Sequence, residues 1–369
     1  MEKSKYLDIK QACELLSVSR PTFDKIRKKA KLKEFVFGKR PRFLREEIEK
    51  IADPKPISKI HPDARIDLDI FSMAAAIDLE SEPNVFDLTR LRSFDPHGVL
   101  NLFCALVDRG RQGNKIKLIV EDNFICNHLR NLGFFNQLEI AVPGMLSWPR
   151  EQLRTEHTDF KYPISLAKIS MSKQEVPVVE KLLELLRKQG FSDTIGGYIA
   201  WIFGELTDNA NTHLRFGGQN DVGAGCYLLA QRYRFSGKSD NECLIIAVAD
   251  IGPGIHTTIK RNPKYQDLSD KQAFLSAFNP GVSSWADEYD RGRGLTDIFA
   301  IALGNRSIFR AESGGHVFMA DFKNNTWSLR FDERMPQGTR FSLIIIDHDF
   351  EMRSRAEVKR YVADLLSKI

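Results

Sequence analysis

Read for its apolar positions alone, the chain changes periodicity several times. After Asp8, which can cap a helix, apolar residues in Ile9–Leu16 recur at helical spacing. Val18-Ser19-Arg20-Pro21 reads as a tight turn, with Ser19 as the next cap and Pro21 in the first turn of a helix reaching about Lys29. A short hairpin over Glu34–Phe43 and a helix over Arg45–Ile51 follow. Asp53–Pro62 holds three prolines and reads as a linker. Beyond it, strand and helix patterns alternate. Asn84–Thr89 is a strand, and Asp95-Pro96-His97-Gly98 opens a helix over Val99–Arg109. Lys115–Val120 is the next strand, and Asn127–Leu132 is a short helix ended by Gly133. Tyr162–Ile169 is a strand, Val178–Lys188 an amphipathic helix, and Ser192 caps a long helix that carries Glu205. Leu244–Ala249 is a continuous apolar run of buried-strand type. Gln272–Phe278 and Thr296–Leu303 are helical, and Phe341–Ile346 is a strand. Val358, Tyr361, Val362, Leu365 and Ile369 fall at helical spacing, which suits a helix docked on its own domain, with a homodimer seam as the alternative. The expected class is multidomain α/β.

Bulk properties narrow this. A length of 369 residues allows two or three domains, and 42% hydrophobic with 28% charged residues is a globular composition. No apolar run approaches the roughly 18 residues of a membrane span, and Met1-Glu-Lys-Ser-Lys-Tyr6 is not a signal-peptide pattern. The expectation is a cytoplasmic protein with no membrane partner. Cys13, Cys104, Cys126, Cys226 and Cys243 are scattered without CxxC spacing, which fits reduced core thiols rather than a metal site. The net charge of +5 is uneven: residues 1–60 carry +8 and the rest −3. A basic head on a near-neutral body suggests nucleic acid as a partner of the head.

The candidate chemistry begins on the long helix, at Glu205-Leu-Thr-Asp208-Asn209-Ala-Asn-Thr-His213. Glu205 and Asn209 are four apart and share a helix face. An amide oxygen can ligate Mg²⁺, and a neighbouring carboxylate can orient or deprotonate an attacking hydroxyl. Three further motifs follow in order: Asp250-Ile-Gly252-Pro-Gly254-Ile255 at a strand end, Gly292-Arg-Gly294-Leu295 opening a helix, and Gly338-Thr339 opening a strand. The glycines permit close backbone approach, a helix start suits phosphate, and a strand-end carboxylate can accept a hydrogen bond from an exocyclic amine.

Together these four motifs resemble the gyrase/Hsp90/histidine-kinase/MutL (GHKL) ATPase superfamily, in particular its histidine-kinase-like ATP-binding domains and anti-sigma serine kinases. The resemblance implies a Bergerat-type α/β sandwich over residues 160–349, with a mixed sheet on one side and helices on the other, binding ATP with Mg²⁺ under a lid. The Ile255–Asp290 stretch has the length of such a lid. By the same resemblance Glu205 is the general base and Asn209 the Mg²⁺ ligand, while Asp250 reads adenine. Gly252, Gly254, Ile255, Gly292, Gly294 and Leu295 frame the phosphates and lid, and Thr339 lies near the adenine. Residues 1–58 resemble a winged helix-turn-helix of the excisionase/MerR type. That implies double-stranded DNA contacts from Arg20, Thr22, Lys25 and Lys28 on the recognition helix and from Lys39, Arg40 and Arg42 on the wing. Residues 63–145 resemble a STAS (anti-sigma-antagonist-like) domain, with Pro96 where that family carries its phosphoacceptor serine; this suits a docking element for a protein partner. Residues 350–369 form the C-terminal helix. The expected function is an ATP-binding regulator that hydrolyses ATP or transfers its γ-phosphate to a protein Ser/Thr, coupled to DNA binding. A non-catalytic nucleotide-sensing transcription regulator is the alternative.

Overall fold

The computed structural model describes residues 6–16, 20, 23–24, 27, 32, 35–37, 40–44, 48, 66–71, 78–153, 164–169, 180, 183–184, 186–188, 192–193, 196–202, 204–205, 225–234, 242–284, 294–345 and 353–368. The chain is mixed α/β and divides into two compact units, Met1–Ala64 and Arg65–Ile369.

In the first unit, strand β1 (Tyr6–Asp8) leads into helix α1 (Ile9–Leu16), and β2 (Phe35–Phe37) forms a hairpin with β3 (Arg40–Leu44). Asp8 caps α1 as its position suggests: its Oδ1 accepts from the Gln11 amide at 2.9 Å, and Gln11 Oε1 accepts from the Asp8 amide at 3.0 Å. β3 lies between β1 and β2, a third strand that the hairpin pattern did not reveal. Pro41, which has no N–H to give a ladder, sits opposite Val36 just past the β1 pairing, so its missing donor costs nothing there. Leu7, Ala12, Phe23, Phe43 and Ile48 form the core, with the Phe23 and Phe43 rings edge to face at 5.1 Å.

The second unit begins with β4 (Ile66–Leu68), β5 (Glu80–Glu82), β6 (Val85–Asp87) and β7 (Leu91–Phe94). Helix α2 (Pro96–Arg111), strand β8 (Ile116–Ile119), helices α3 (Phe124–Asn131) and α4 (Phe134–Ala141) and strand β9 (Leu146–Ser147) follow. β4 and β7 pair in parallel, and β5-β6-β8-β9 form a small sheet in which β6–β8 and β8–β9 are parallel. Asp95 caps α2 with Pro96 in its first turn.

A seven-stranded sheet dominates the rest, in the order β10-β11-β12-β16-β13-β14-β15. Its strands are β10 (Ile164–Ile169), β11 (Cys226–Arg234), β12 (Glu242–Asp250), β13 (Ile308–Ser313), β14 (His316–Asp321), β15 (Thr326–Phe331) and β16 (Thr339–Ile345). Helices that accompany it include α5 (Ile255–Ile259), α6 (Asp270–Ser276), α7 (Gly294–Gly304) and α8 (Arg355–Ser367). Two features correct the family expectation. Among the described residues every pairing in this sheet is antiparallel, not mixed. Apolar side chains also cover both faces rather than one. Leu228, Leu244, Ile246, Phe309, Phe341 and Leu343 share a core with Ile298, Phe299 and Val362 of α7 and α8. The alternate residues Tyr227, Leu229, Ala247 and Ala249 share another with Leu100, Phe103 and Val107 of α2. That double cover is why β12 reads as an unbroken apolar run. The α2 segment and the large sheet therefore belong to one compact unit.

Candidate functional site

The helix expected to carry the carboxylate is present at residues 196–202, 204 and 205. Ile199 and Ile202 point into the sheet core, which leaves Glu205 partly exposed. Glu205 Oε1 accepts a hydrogen bond from the Trp201 indole Nε1 at 3.1 Å, one helical turn back. A Cβ added at Gly294 would collide with Glu205 Oε2 and lie 3.1 Å from Glu205 Cβ, so with the carboxylate as it stands the glycine lets the start of α7 lie flush against it. Leu295 packs on the same core. Arg355, whose guanidinium holds Asp297 of α7 through two 3.0 Å bonds, lies within electrostatic reach of Glu205. The structure thus brings together two members of the expected constellation that are 89 residues apart in the chain. Asn209 and Gly292, expected at the same place, lie outside the described residues, as do Asp208 and His213.

The other cluster forms where β12 ends. Asp250 pairs with Thr339 across the β12–β16 ladder. Its Oδ1 accepts the Gly252 N–H at 2.8 Å. Burial pushes the Asp250 carboxyl up, while the Gly252 N–H, the Arg340 guanidinium and Thr339 oppose that rise. Gly254 has φ +87°, and a Cβ there would lie 2.8 Å from Ser313 Oγ. The next residue, Ile255, donates its N–H to that same Ser313 Oγ at 2.7 Å, and Ser313 and Thr339 hydroxyls are 3.5 Å apart. So Asp250, Gly252, Gly254, Ile255 and Thr339 lie together at this end of the sheet.

Ser313 was not visible in the motifs, although the signal for it exists. Gly314 and Gly315 both take positive φ and close the two-residue turn between β13 and β14, placing Ser313 beside Thr339. Trp201 was missed too, since nothing in a helical pattern marks an indole as the orienting partner of a residue four positions on.

A carboxylate at a helix start, a second carboxylate at a strand end, and backbone cradles that a Cβ would fill suit a nucleotide: amine recognition at one cluster and proton handling beside phosphate at the other. Among the described residues, no group of three or more His, Cys, Asp or Glu side chains is placed to hold a metal ion. Of the residues expected at DNA, Arg20 is helical and exposed, while Arg40 and Arg42 are backbone members of β3. Thr22, Lys25, Lys28 and Lys39 lie outside the described residues. Among the described residues no helix is long and apolar enough to cross a membrane. No protein-family model matches the chain, and no curated protein matches its sequence.

Proposed function

We propose that this protein is a nucleotide-binding regulator of GHKL type that cleaves the γ-phosphate of ATP, passing it to water or to a protein Ser/Thr, and that its basic head binds DNA. The observation that carries the reading is the meeting of Glu205 with the glycine start of α7, on a unit whose β12 ends in Asp250 beside Thr339. In this reading Asp250 accepts a hydrogen bond from the exocyclic amine of adenine, with Gly252 and Thr339 fixing its orientation. The Gly254–Ile255 backbone, braced by Ser313, and Gly294–Leu295 line the approach of the phosphates. Trp201 orients one Glu205 oxygen, which leaves the other to take the proton of the attacking hydroxyl. Asn209 is the residue that would hold Mg²⁺, which when bound neutralises charge building on the phosphate oxygens.

The +8 charge of residues 1–60 and the exposed Arg20 support duplex DNA as the partner of the first unit. The 63–145 segment exposes Phe124 and Ile140 and is proposed as the docking element for a protein partner. Phosphorylation at its Asp95–Gly98 turn forms no part of the proposal: Pro96 has no hydroxyl, and the turn is buried.

Radiolabelled ATP offered to the purified chain tests the catalytic step. The parent should release or transfer labelled phosphate. Glu205→Gln should keep ATP affinity and slow that step by about 10²–10⁴-fold. If parent and variant release phosphate at the same trace rate and label no protein, catalysis is excluded and the chain is a nucleotide sensor.

A further inference from the structure

Among the described residues, the most heavily charged part of the interior lies between α2 and the large sheet, on the strands that also carry Ser313 and Thr339. Arg310, Glu312, Arg340 and His97 are each at most 1% exposed. Glu312 Oε1 accepts from Arg310 Nε at 2.6 Å, and Glu312 Oε2 accepts from Arg340 Nε at 2.7 Å. His97 Nε2 lies 3.2 Å from Glu312 Oε1, and His97 Nδ1 lies 2.8 Å from Ser342 Oγ. Asn101 Nδ2 is 3.2 Å from the same Nε2, while Asn101 Oδ1 has no partner. Turning that amide over, a choice the heavy atoms leave open, removes its N–H from Nε2 and leaves the single Nε2–H shared between Glu312 Oε1 and Asn101 Oδ1. Burial alone would raise the Glu312 carboxyl, but Arg310, His97 and Arg340 hold it well below the usual range.

The His97 end of this network is clamped to the backbone. Asp95 accepts the amides of Gly98 at 3.0 Å and Ile70 at 2.8 Å, and its own amide donates to Leu68 O at 2.9 Å. A Cβ at Gly98 would collide with Leu68 O, so the turn sits as close to β4 as a backbone can. Arg310 Nη1 donates to Ile70 O, tying the same segment to β13. At the other end Arg340 follows Thr339 in sequence, and its charge acts on Asp250, as that of Asp250 acts on Arg340.

We propose that the Asp95–Gly98 turn couples the 65–153 segment to the base-reading end of the nucleotide pocket. His97, acting through Glu312 and Arg340, is the positioning residue for Asp250 and Thr339. A shift of the α2 start is then felt as a change in how tightly the pocket holds a purine. The α2 turn needs no contact with the ligand, since β16 carries Arg340 next to Thr339, and β13 carries Glu312 next to Ser313. This inference rests on the nucleotide reading of the pocket and adds its regulation.

The test compares parent, His97→Ala, His97→Gln and Asp250→Asn, alone and with His97→Ala. Calorimetry measures adenosine, ADP and Mg-ATP, and amide hydrogen exchange is followed on the full chain. His97→Ala should weaken all three ligands by the same factor, about tenfold for a coupling of ordinary size, because the loss lies at the base. Amides of 250–255 and 339–342 should exchange faster while those of α7 and α8 hold. His97→Gln, whose amide can still bridge Ser342 and Glu312, should recover much of the affinity. In the Asp250→Asn background the His97→Ala loss should shrink. Unchanged affinity and unchanged exchange at 250–255 in His97→Ala would overturn the coupling, as would an equal loss with and without Asp250. Should the parent bind none of the three ligands while exchange still responds at 250–255, the nucleotide reading fails and the mechanical coupling stands.

Discussion

Where β13 and β16 pair, the two faces of the seven-stranded sheet are built from the same strands and are chemically opposite. On β13 and β16, Phe309, Ala311, Phe341, Leu343 and Ile345 face the α7–α8 side. There the Phe299 ring packs against Phe278, Phe309, Phe318, Phe322 and Tyr361, with centroids 5.2–6.0 Å apart. The alternate residues Arg310, Glu312, Arg340 and Ser342 are equally buried and form hydrogen-bonded charges instead. An apolar face gains stability in proportion to area and tolerates repacking. A buried ionic face gains little net stability, but its geometry must be right because a broken pair leaves an uncompensated charge. The comparison teaches a division of labour: the aromatic face holds the sheet together, and the charged face fixes where the ends of β13 and β16 stand.

The charged face should give the largest response. We predict that Glu312→Ala, which strands two buried guanidinium groups, lowers unfolding stability by at least the upper part of about 3–5 kcal/mol, measured by urea denaturation. A loss under 1 kcal/mol would mean that water or rearrangement satisfies the arginines and that the face is not a rigid element. On the other face Leu343→Ala should cost about 2–5 kcal/mol with no change of ligand preference, since the cavity it leaves lies further along β16 from Thr339, in the apolar core. A stability loss accompanied by altered ATP-over-GTP selectivity would break the division of labour.

Smaller effects sharpen it further. His256 and His316 lie with ring centroids 6.1 Å apart beside the Ser313–His316 turn, facing Lys260 and Asp270. Burial lowers both imidazoles below the usual value of about 6.5. The unfolded chain therefore binds protons that the folded chain refuses. Their contribution to stability is full above about pH 6.5 and is lost as pH falls from there through the folded values. Replacing both by Gln should flatten the melting temperature between pH 7 and pH 5 relative to the parent; an unchanged slope would contradict the assignment. In the head, Arg20→Ala should lower the log–log salt slope of duplex binding by about 1, measured by anisotropy of the full chain, and an unaltered slope would remove Arg20 from the phosphate contacts.

Much of this organisation was legible before the structure. Leu244–Ala249 announced a buried strand, and Asp8 and Asp95 announced helix starts; the family resemblance grouped Asp250 with Thr339 and Glu205 with Gly294, pairs that the fold places together. The β13–β14–β15 meander was not read. Its alternation mixes Phe309, Ala311 and Phe318 with buried Arg310 and Glu312, and charged residues in a strand ordinarily signal solvent. The double cover of the sheet was missed for a related reason. Tyr227 and Ala249 look like any strand residues, and only the tertiary placement of α2 decides what lies over them. Helix α4 was hidden because Gly133, read as a stop, is also the left-handed hinge from which a second helix starts.

The claim on which the account turns is that the end of β12 reads a purine. Calorimetric titration of the full chain with Mg-ATP, parent against Asp250→Ala, tests it most directly. Removal of the carboxylate leaves a buried exocyclic amine without its acceptor, a loss of about 1–3 kcal/mol. The account predicts measurable binding by the parent and an affinity lower by roughly 5- to 150-fold in the variant; equal affinity in the two proteins, or no binding by the parent, would contradict it.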